Sequence, residues 1–340
     1  MNQQPLNQRV VAPVVALPVS TEAVTWRRAT VSDIDAVLDC EREIAAADHP
    51  YYVSTREELT EDFEQSYVDV AVDTLVALAP DGQVLAWGLV LEPPGQDTLV
   101  REILVGGVRP AHRGRGIGRE LLAWQVARGQ ERLAASERTI PGWLMTVADV
   151  GVADAHRLYA RSDLTPARYF LELRRDLGTP VEPVALDPEL ELVPFGPDWS
   201  EATRIARNDS FRDHWGSQPM LEEPWQALVG RSTFRDDLSF VAVAPDRTVA
   251  GFVLSTVSED DWPGQGFSSA YIEYVGVTRT WRRRGVAPAL LAHALAAIAA
   301  AGLDKAVLDV DSDSPTGALG LYTGVGFAES NRSINYTRVY

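Results

Sequence analysis

The sequence predicts an α/β protein made of two tandem copies of one unit, each a mixed sheet flanked by helices. Length is the first observation: 340 residues exceed what a single core usually organises. The second is internal repetition. "LVALAPDGQVLAWGLVL" (75–91) is echoed by "FVAVAPDRTVAGFVLST" (240–256), and Asp48-His49 by Asp213-His214, both 165 positions on. Arg113 and Arg282 stand 169 apart, and Tyr159 and Tyr322 stand 163 apart. Four landmarks at a nearly constant offset mark a duplication. The third observation is the alternation of short β-branched runs with longer apolar stripes of helical period.

Residues 1–20 carry a short apolar run broken by Pro13 and Pro18, which predicts a flexible tail. The first copy spans 21–177. After the hairpin at 75–91 come a strand at "ILVGGV" (103–108), a helix from Ile117, a strand at "GWLMTVAD" (142–149), a short helix around Tyr159 and a strand at "ARYFLELRR" (167–175). Residues 178–190 are proline-rich and aperiodic, as in a linker. The second copy spans 191–340. A helix is expected over 200–215 with Ser200 as its N-cap, then strands either side of Pro245-Asp246. "SSAYIEYVGVT" (268–278) reads as a strand. Ala287, Leu290, Leu291, Ala294, Leu295 and Ile298 form one helical stripe closed by Gly302. "KAVLDVDSD" (305–313) and "RSINYTRVY" (332–340) are strands, and Ser314-Pro315 reads as the N-cap and first residue of the helix bearing Tyr322.

Composition removes several function classes. A net charge of −17 opposes nucleic acid as a partner and favours cationic ligands. No apolar run reaches the length of a bilayer span, so no membrane partner is expected. Cys40 is the only cysteine, which excludes an internal disulfide framework and fits a reducing cytoplasm. No metal is expected: "DVDSD" (309–313) opens like a calcium loop but lacks its glycine and closing glutamate.

The chemistry starts at "HRGRGIGREL" (112–121) and its echo "WRRRGVAPAL" (281–290). In the first copy a strand ending at Gly107 and Val108 leads through Arg113, Gly114, Arg115 and Gly116 to a helix at Ile117 and Gly118. In the second, Val275, Gly276 and Val277 lead through Arg282, Arg283, Arg284 and Gly285 to Val286 and Ala287. Unpaired amides at a helix start, with glycines that let an anion approach, suit a phosphate or pyrophosphate. A merely tight strand-to-helix turn is the other reading of either loop alone.

"RGRGIG" (113–118) and "RRRGVA" (282–287) resemble the Arg/Gln-x-x-Gly-x-Gly/Ala signature of the GNAT superfamily of acyl-CoA-dependent N-acyltransferases. "LYTGVGF" (321–327) resembles that family's Leu-Tyr-x-x-x-Gly-Phe segment, and "HRLYARSDL" (156–164) is a weaker counterpart. The resemblance covers nearly the whole chain twice. Two copies in a chain of this length most resemble the mycothiol synthase group of tandem GNAT proteins, and "NDSFRDHWGSQP" (208–219) looks like their segment beside the acceptor pocket. The resemblance implies a sheet whose two central strands splay apart around acetyl-CoA, the co-substrate. It places a bulge at the glycines of "VGV" (275–277) and "GGV" (106–108). It further implies Tyr322 as general acid for the departing thiolate, with Ser314 beside the cofactor.

Amide formation also needs a proton acceptor. Glu273 shares a strand with Tyr271 and Val275, two residues away on either side, which predicts one face for all three. A base and a peripheral ion pair are the two readings of Glu273; Glu102 is on the corresponding strand of the first copy. Asp209, Asp213 and His214 are candidates for contact with a cationic acceptor, although the echo His49 equally suits a structural role. The second copy keeps the Gly-Phe after its tyrosine where the first has "DLTP" (163–166), so the second is expected to be the catalyst. The expected activity is acetyl transfer from acetyl-CoA to a primary amine of a small molecule, by a monomer or homodimer. The alternatives are the mycothiol synthase reaction on a cysteinyl pseudo-disaccharide, peptide or protein N-acetylation, and non-catalytic acyl-CoA binding.

Overall fold

The structure is a computed structural model and describes residues 4–314 and 316–340. The chain forms two compact units: residues up to Arg168 together with Ser333–Tyr340, and Tyr169–Arg332.

In the first unit, α1 (Leu6–Arg9), β1 (Thr25–Arg27), α2 (Ile34–Asp48), α3 (Arg56–Glu64) and α4 (Val70–Asp73) precede β2 (Thr74–Leu78) and β3 (Val84–Leu91). Next come β4 (Val100–Val108), α5 (Ile117–Ala135), β5 (Gly142–Asp149), α6 (Ala153–Ala160) and the start of β6 (Thr165–Asp176). The second unit continues with β7 (Glu191–Pro194), α7 (Pro197–Ser210), α8 (Glu222–Gly230), β8 (Phe240–Val243), β9 (Val249–Thr256) and α9 (Trp262–Gln265). Then follow β10 (Ser269–Val277), α10 (Val286–Ala300), β11 (Lys305–Asp311), α11 (Ala318–Gly324) and β12 (Ala328–Val339).

Both units use the same strand order. In the first it is β1-β2-β3-β4-β5-β12, and in the second β7-β8-β9-β10-β11-β6. The last strand of each unit differs from the sequence expectation. Residues 333–339 pair with β5 in the first unit, whereas 170–176 pair with β11 in the second. A division at 178–190 therefore separates neither unit cleanly. An alternating apolar pattern gives a strand its two faces but does not name its neighbour.

The two central strands of each sheet are its parallel pair, and they touch only briefly. Residues 100–103 of β4 pair with 142–145 of β5, and 269–271 of β10 with 305–307 of β11. Beyond these points each pair parts, while β4 stays bonded to β3 and β10 to β9. A wedge opens where a loop leads into α5 or α10.

The central helices anchor that wedge. Leu290, Leu291, Ala294, Leu295 and Ile298 of α10 are fully buried, each large side chain contributing about 1.5–3 kcal/mol. Ala287 is only partly buried, and Gly302 follows the helix at φ +81°. At α7 the helix starts at Pro197 behind Gly196; Ser200 lies inside it, where its Oγ accepts a hydrogen bond from Trp225 at 2.9 Å.

The tail expected over 1–20 is instead docked from Leu6 to Val10. The Leu6 amide donates to the Arg138 carbonyl at 2.9 Å, and its side chain is fully buried. Gly142 leaves the space for it, since a Cβ there would stand 2.7 Å from Leu6 Cδ2. No prior reading of an apolar run bounded by prolines identifies such a partner.

Glu102 is wholly buried beneath α5, where Arg132 approaches at 3.3 Å but is shared with Glu92 and Asp73. Burial, reinforced by Glu92, raises the Glu102 pKa well above 4.5, so it is held protonated. A raised carboxyl pKa contributes stability that is fully present below the unfolded-state value and is lost as pH rises through the folded-state value. Urea unfolding across this range should therefore show wild type losing stability with rising pH relative to Glu102→Gln. A stability difference between the two that does not change with pH contradicts this reading.

Candidate active site

The wedge of the second unit is a cleft of about 950 Å³. One wall is residues 272–277 of β10 and the other residues 309–311; the loop 281–288 and α11 complete it. Beyond Tyr271, β10 pairs with β9 alone, leaving its other edge toward the cleft.

The bulge lies upstream of the glycines. Ile272 pairs with Ser255 and Tyr274 with Leu254, so Glu273 is the extra residue. The alternation of faces resets there. Ile272 and Val275 pack with α10, while Tyr274 joins Phe211, Phe252 and Leu254 on the opposite face. Glu273 therefore does not share a face with Val275; its Oε1 accepts a hydrogen bond from Thr256 Oγ1 at 3.1 Å. Gly276 serves packing instead, because a Cβ would lie 2.3 Å from the Phe252 ring. In the first unit β3 and β4 pair without a register break, and Gly106 adopts φ +118° against the Trp87 carbonyl.

The two loops share a backbone. Gly114 and Gly116 have φ of +75° and +89°, and Arg283 and Gly285 have +62° and +77°. The turn delivers the chain into α10 at Val286 and Ala287, whose amides precede any intrahelical partner; Pro288 has no amide hydrogen. Backbone donors and the helix dipole at this end of the cleft suit an anionic group.

The arginines divide the work. Arg282 donates from Nη2 to the Ser210 carbonyl at 2.9 Å and lies 3.5 Å from Asp213. Its counterpart Arg113 forms a two-pronged ion pair with Asp48, both contacts at 2.7 Å. Arg283 lines the cleft, whereas Arg284 turns to Asp187 and Glu189. In the first unit Arg115 donates to the Ala111 carbonyl, Ile117 enters the core, and Gly107 and Gly118 pack against Ile44 and Val108.

The acids expected to meet an acceptor, Asp209 and Asp213, bind the loop, and Asp213 also lines the cleft. Asp209 accepts the Arg279 amide at 2.9 Å, and Asp213 accepts Arg279 Nη2 at 2.7 Å. Both lie next to guanidinium groups that sequence spacing does not bring together. His214 lines the cleft with its ring 4.6 Å from that of Phe211, and burial lowers its pKa below 6.5, leaving a neutral imidazole at pH 7.

Tyr322 lines the cleft from α11, 8% exposed, with its ring edge-on to Phe327 at 5.9 Å. Burial pushes its phenol up to about 12, so the hydroxyl keeps its proton at every physiological pH. The helix begins at Ala318 behind Gly317 at φ +71°, so Ser314 is not its N-cap. Ser314 lies outside the cleft lining, where Thr316 appears; Pro315 lies outside the described residues.

Sequence reasoning missed the acidic wall. Asp309 and Asp311 line the cleft beside Glu273, and Tyr271 donates to Asp309 at 3.0 Å. The alternation in "DVD" (309–311) was the available signal for a shared face. Among the described residues no group of three or more His, Cys, Asp or Glu is arranged to hold a metal, and no helix is long and apolar enough to cross a membrane.

A splayed parallel pair, a glycine-bearing loop at the start of the central helix and a buried tyrosine define the class: an acyl-CoA-dependent N-acyltransferase. The sequence matches the Acetyltransferase (GNAT) family over residues 39–163 and again over 200–327, and the chain belongs to that family. It is 27% identical to a mycothiol acetyltransferase of Frankia casuarinae across 98% of this chain and 96% of that one. A mycothiol acetyltransferase of Kineococcus radiotolerans is 32% identical over 79% of this chain and 82% of its own. Among solved structures, a tandem GNAT protein from the clavulanic acid biosynthesis pathway superposes with a TM-score of 0.69 at 16% identity, covering 93% of this chain and 98% of that one. The chain is thus a tandem GNAT N-acetyltransferase.

Arg283 occupies a left-handed conformation that costs a residue with a Cβ about 1–2 kcal/mol. Arg283→Gly should raise stability by about 1 kcal/mol in denaturant unfolding. Unchanged or lower stability would show that its side chain compensates for the backbone cost.

Proposed function

We propose that the second unit transfers an acetyl group from acetyl-CoA to the primary amine of a small molecule. The observation that carries this reading is one cleft lined by both signs of charge. The amides at Val286 and Ala287 and the Arg283 side chain line it from the loop; Glu273 lines it from β10, and Asp309 and Asp311 from the wall opposite. The loop suits the phosphates of coenzyme A. The acidic wall attracts an ammonium ion and suits an amine acceptor.

Val275, Gly276 and Val277 offer the free edge of β10 to the pantetheine arm. Acetyl-CoA supplies an activated acetyl thioester. The bound ammonium first releases one proton to solvent; Glu273, held by Thr256, accepts the second as the neutral nitrogen bonds to the acetyl carbon. Tyr322, which keeps its proton at working pH, donates a hydrogen bond to the sulfur as the carbon–sulfur bond breaks, and the proton that the sulfur takes from it is replaced by the one Glu273 received. The products are the acetamide and coenzyme A in its thiol form. His214 and Phe211 border the acceptor.

A second reading has the acceptor of the mycothiol acetyltransferases, a cysteinyl pseudo-disaccharide, favoured by the match to those relatives along most of the chain. Mass spectrometry of an amine panel incubated with acetyl-CoA, this compound included, separates the two. Acetylation of no panel member, despite acetyl-CoA binding, would overturn both.

Tyr322→Phe should lower kcat by about a hundredfold or more while acetyl-CoA affinity stays within about twofold. Wild-type turnover in that variant removes the assigned role. Glu273→Gln should lower kcat/KM by about a hundredfold; wild-type kcat/KM in that variant assigns the base elsewhere.

A further inference from the structure

The segment after β6 is fastened to the phosphate loop. Asp187 Oδ2 accepts from Arg284 Nε at 2.7 Å and Glu189 Oε2 accepts from Nη2 at 2.7 Å. The guanidinium carbon of Arg284 lies 4.3 Å from the centre of the Trp281 ring. Two carboxylates thus grip one edge of the guanidinium while an indole covers a face. The fork is preformed, because Asp187 also accepts the Glu189 amide at 3.0 Å and fixes the turn between them.

Two other arginines show that this contact is particular. Arg283, the preceding residue, lines the cleft, so adjacent arginines of one loop face different tasks. Arg115, the counterpart of Arg284 in the first unit, bonds to the carbonyl of Ala111 in its own loop. The fastened segment also packs on the core of the second unit through Val181, Leu186 and Leu190. A cavity of about 260 Å³ lies between Val181, Pro183 and Leu186 on one side and Ala289, Ala292 and His293 of α10 on the other. The ion pairs add a hold at the loop itself.

We propose that Asp187 and Glu189 form a clamp that withholds Arg284 from the phosphates of the cofactor and so sets cofactor affinity. This inference rests on the reading of the loop as the coenzyme A site. An exposed guanidinium beside a polyanion exchanges one set of anionic partners for another at little cost. Clamp opening and cofactor binding are then linked: each anion that competes for Arg284 weakens the other.

A double-mutant cycle on the full chain tests this, with coenzyme A titrated calorimetrically at low ionic strength. Asp187→Asn combined with Glu189→Gln should bind coenzyme A about fivefold more tightly than wild type, and added salt should shrink the gain. Adding Arg284→Gln to that pair should abolish the gain. If the gain survives Arg284→Gln, it arises from lost negative charge at a distance and the clamp is refuted. A gain absent from the Asp187→Asn, Glu189→Gln chain refutes it as well. A wild-type chain that binds no coenzyme A overturns the cofactor reading, and the clamp with it; the first two results overturn the clamp alone.

Discussion

The parting of β10 from β11 is the constraint on which the second unit depends. Three residues on each strand hold the pair together, and then the strand edges face a cleft. Backbone donors and acceptors turned away from a neighbouring strand need other partners, and an extended amide-bearing arm can provide them. The bulge at Glu273 strengthens the consequence. By inserting one residue it turns Glu273 and Tyr274 away from the α10 core, and it leaves Val275 and Ile272 to pack there. One irregularity thus separates the strand into a part that holds the fold and a part available for chemistry.

The electrostatics follow the same division. Arginines of the loop are neutralised selectively: Arg279 and Arg282 by Asp209 and Asp213, and Arg284 by Asp187 and Glu189. Arg283 remains at the cleft. On the far wall, Asp309 accepts the Tyr271 hydroxyl, and burial together with the neighbouring carboxylates raises that phenol's pKa well above its ordinary value. Arg283 from the loop and Asp309 and Asp311 from the far wall thus put both signs of charge in one cleft.

Much of this was legible in the sequence, and the parts that were not share a cause. The duplication, the α10 stripe and the strand at 142–149 follow from local periodicity, and the structure repeats them closely. The loop glycines were legible because positive φ at Gly114, Gly116 and Gly285 is a local backbone demand; Arg283 in the same conformation hides it. The exchange of β6 and β12 depends on which strand lies alongside, and periodicity carries no such information. Likewise the partners of Asp213 and Arg284 are distant in sequence, so charge alone suggested an acceptor and a phosphate where the fold places ion pairs. The family resemblance placed the bulge at the glycines, yet Gly276 is required by the Phe252 ring.

The account's central claim is that acetyl-CoA lies along the free edge of β10 with its phosphates on the loop before α10. Amide hydrogen exchange with and without acetyl-CoA reads this directly. Slowed exchange confined in the second unit to peptides covering 273–277 and 283–288 is the predicted result. Unchanged exchange in both segments at saturating acetyl-CoA would contradict it.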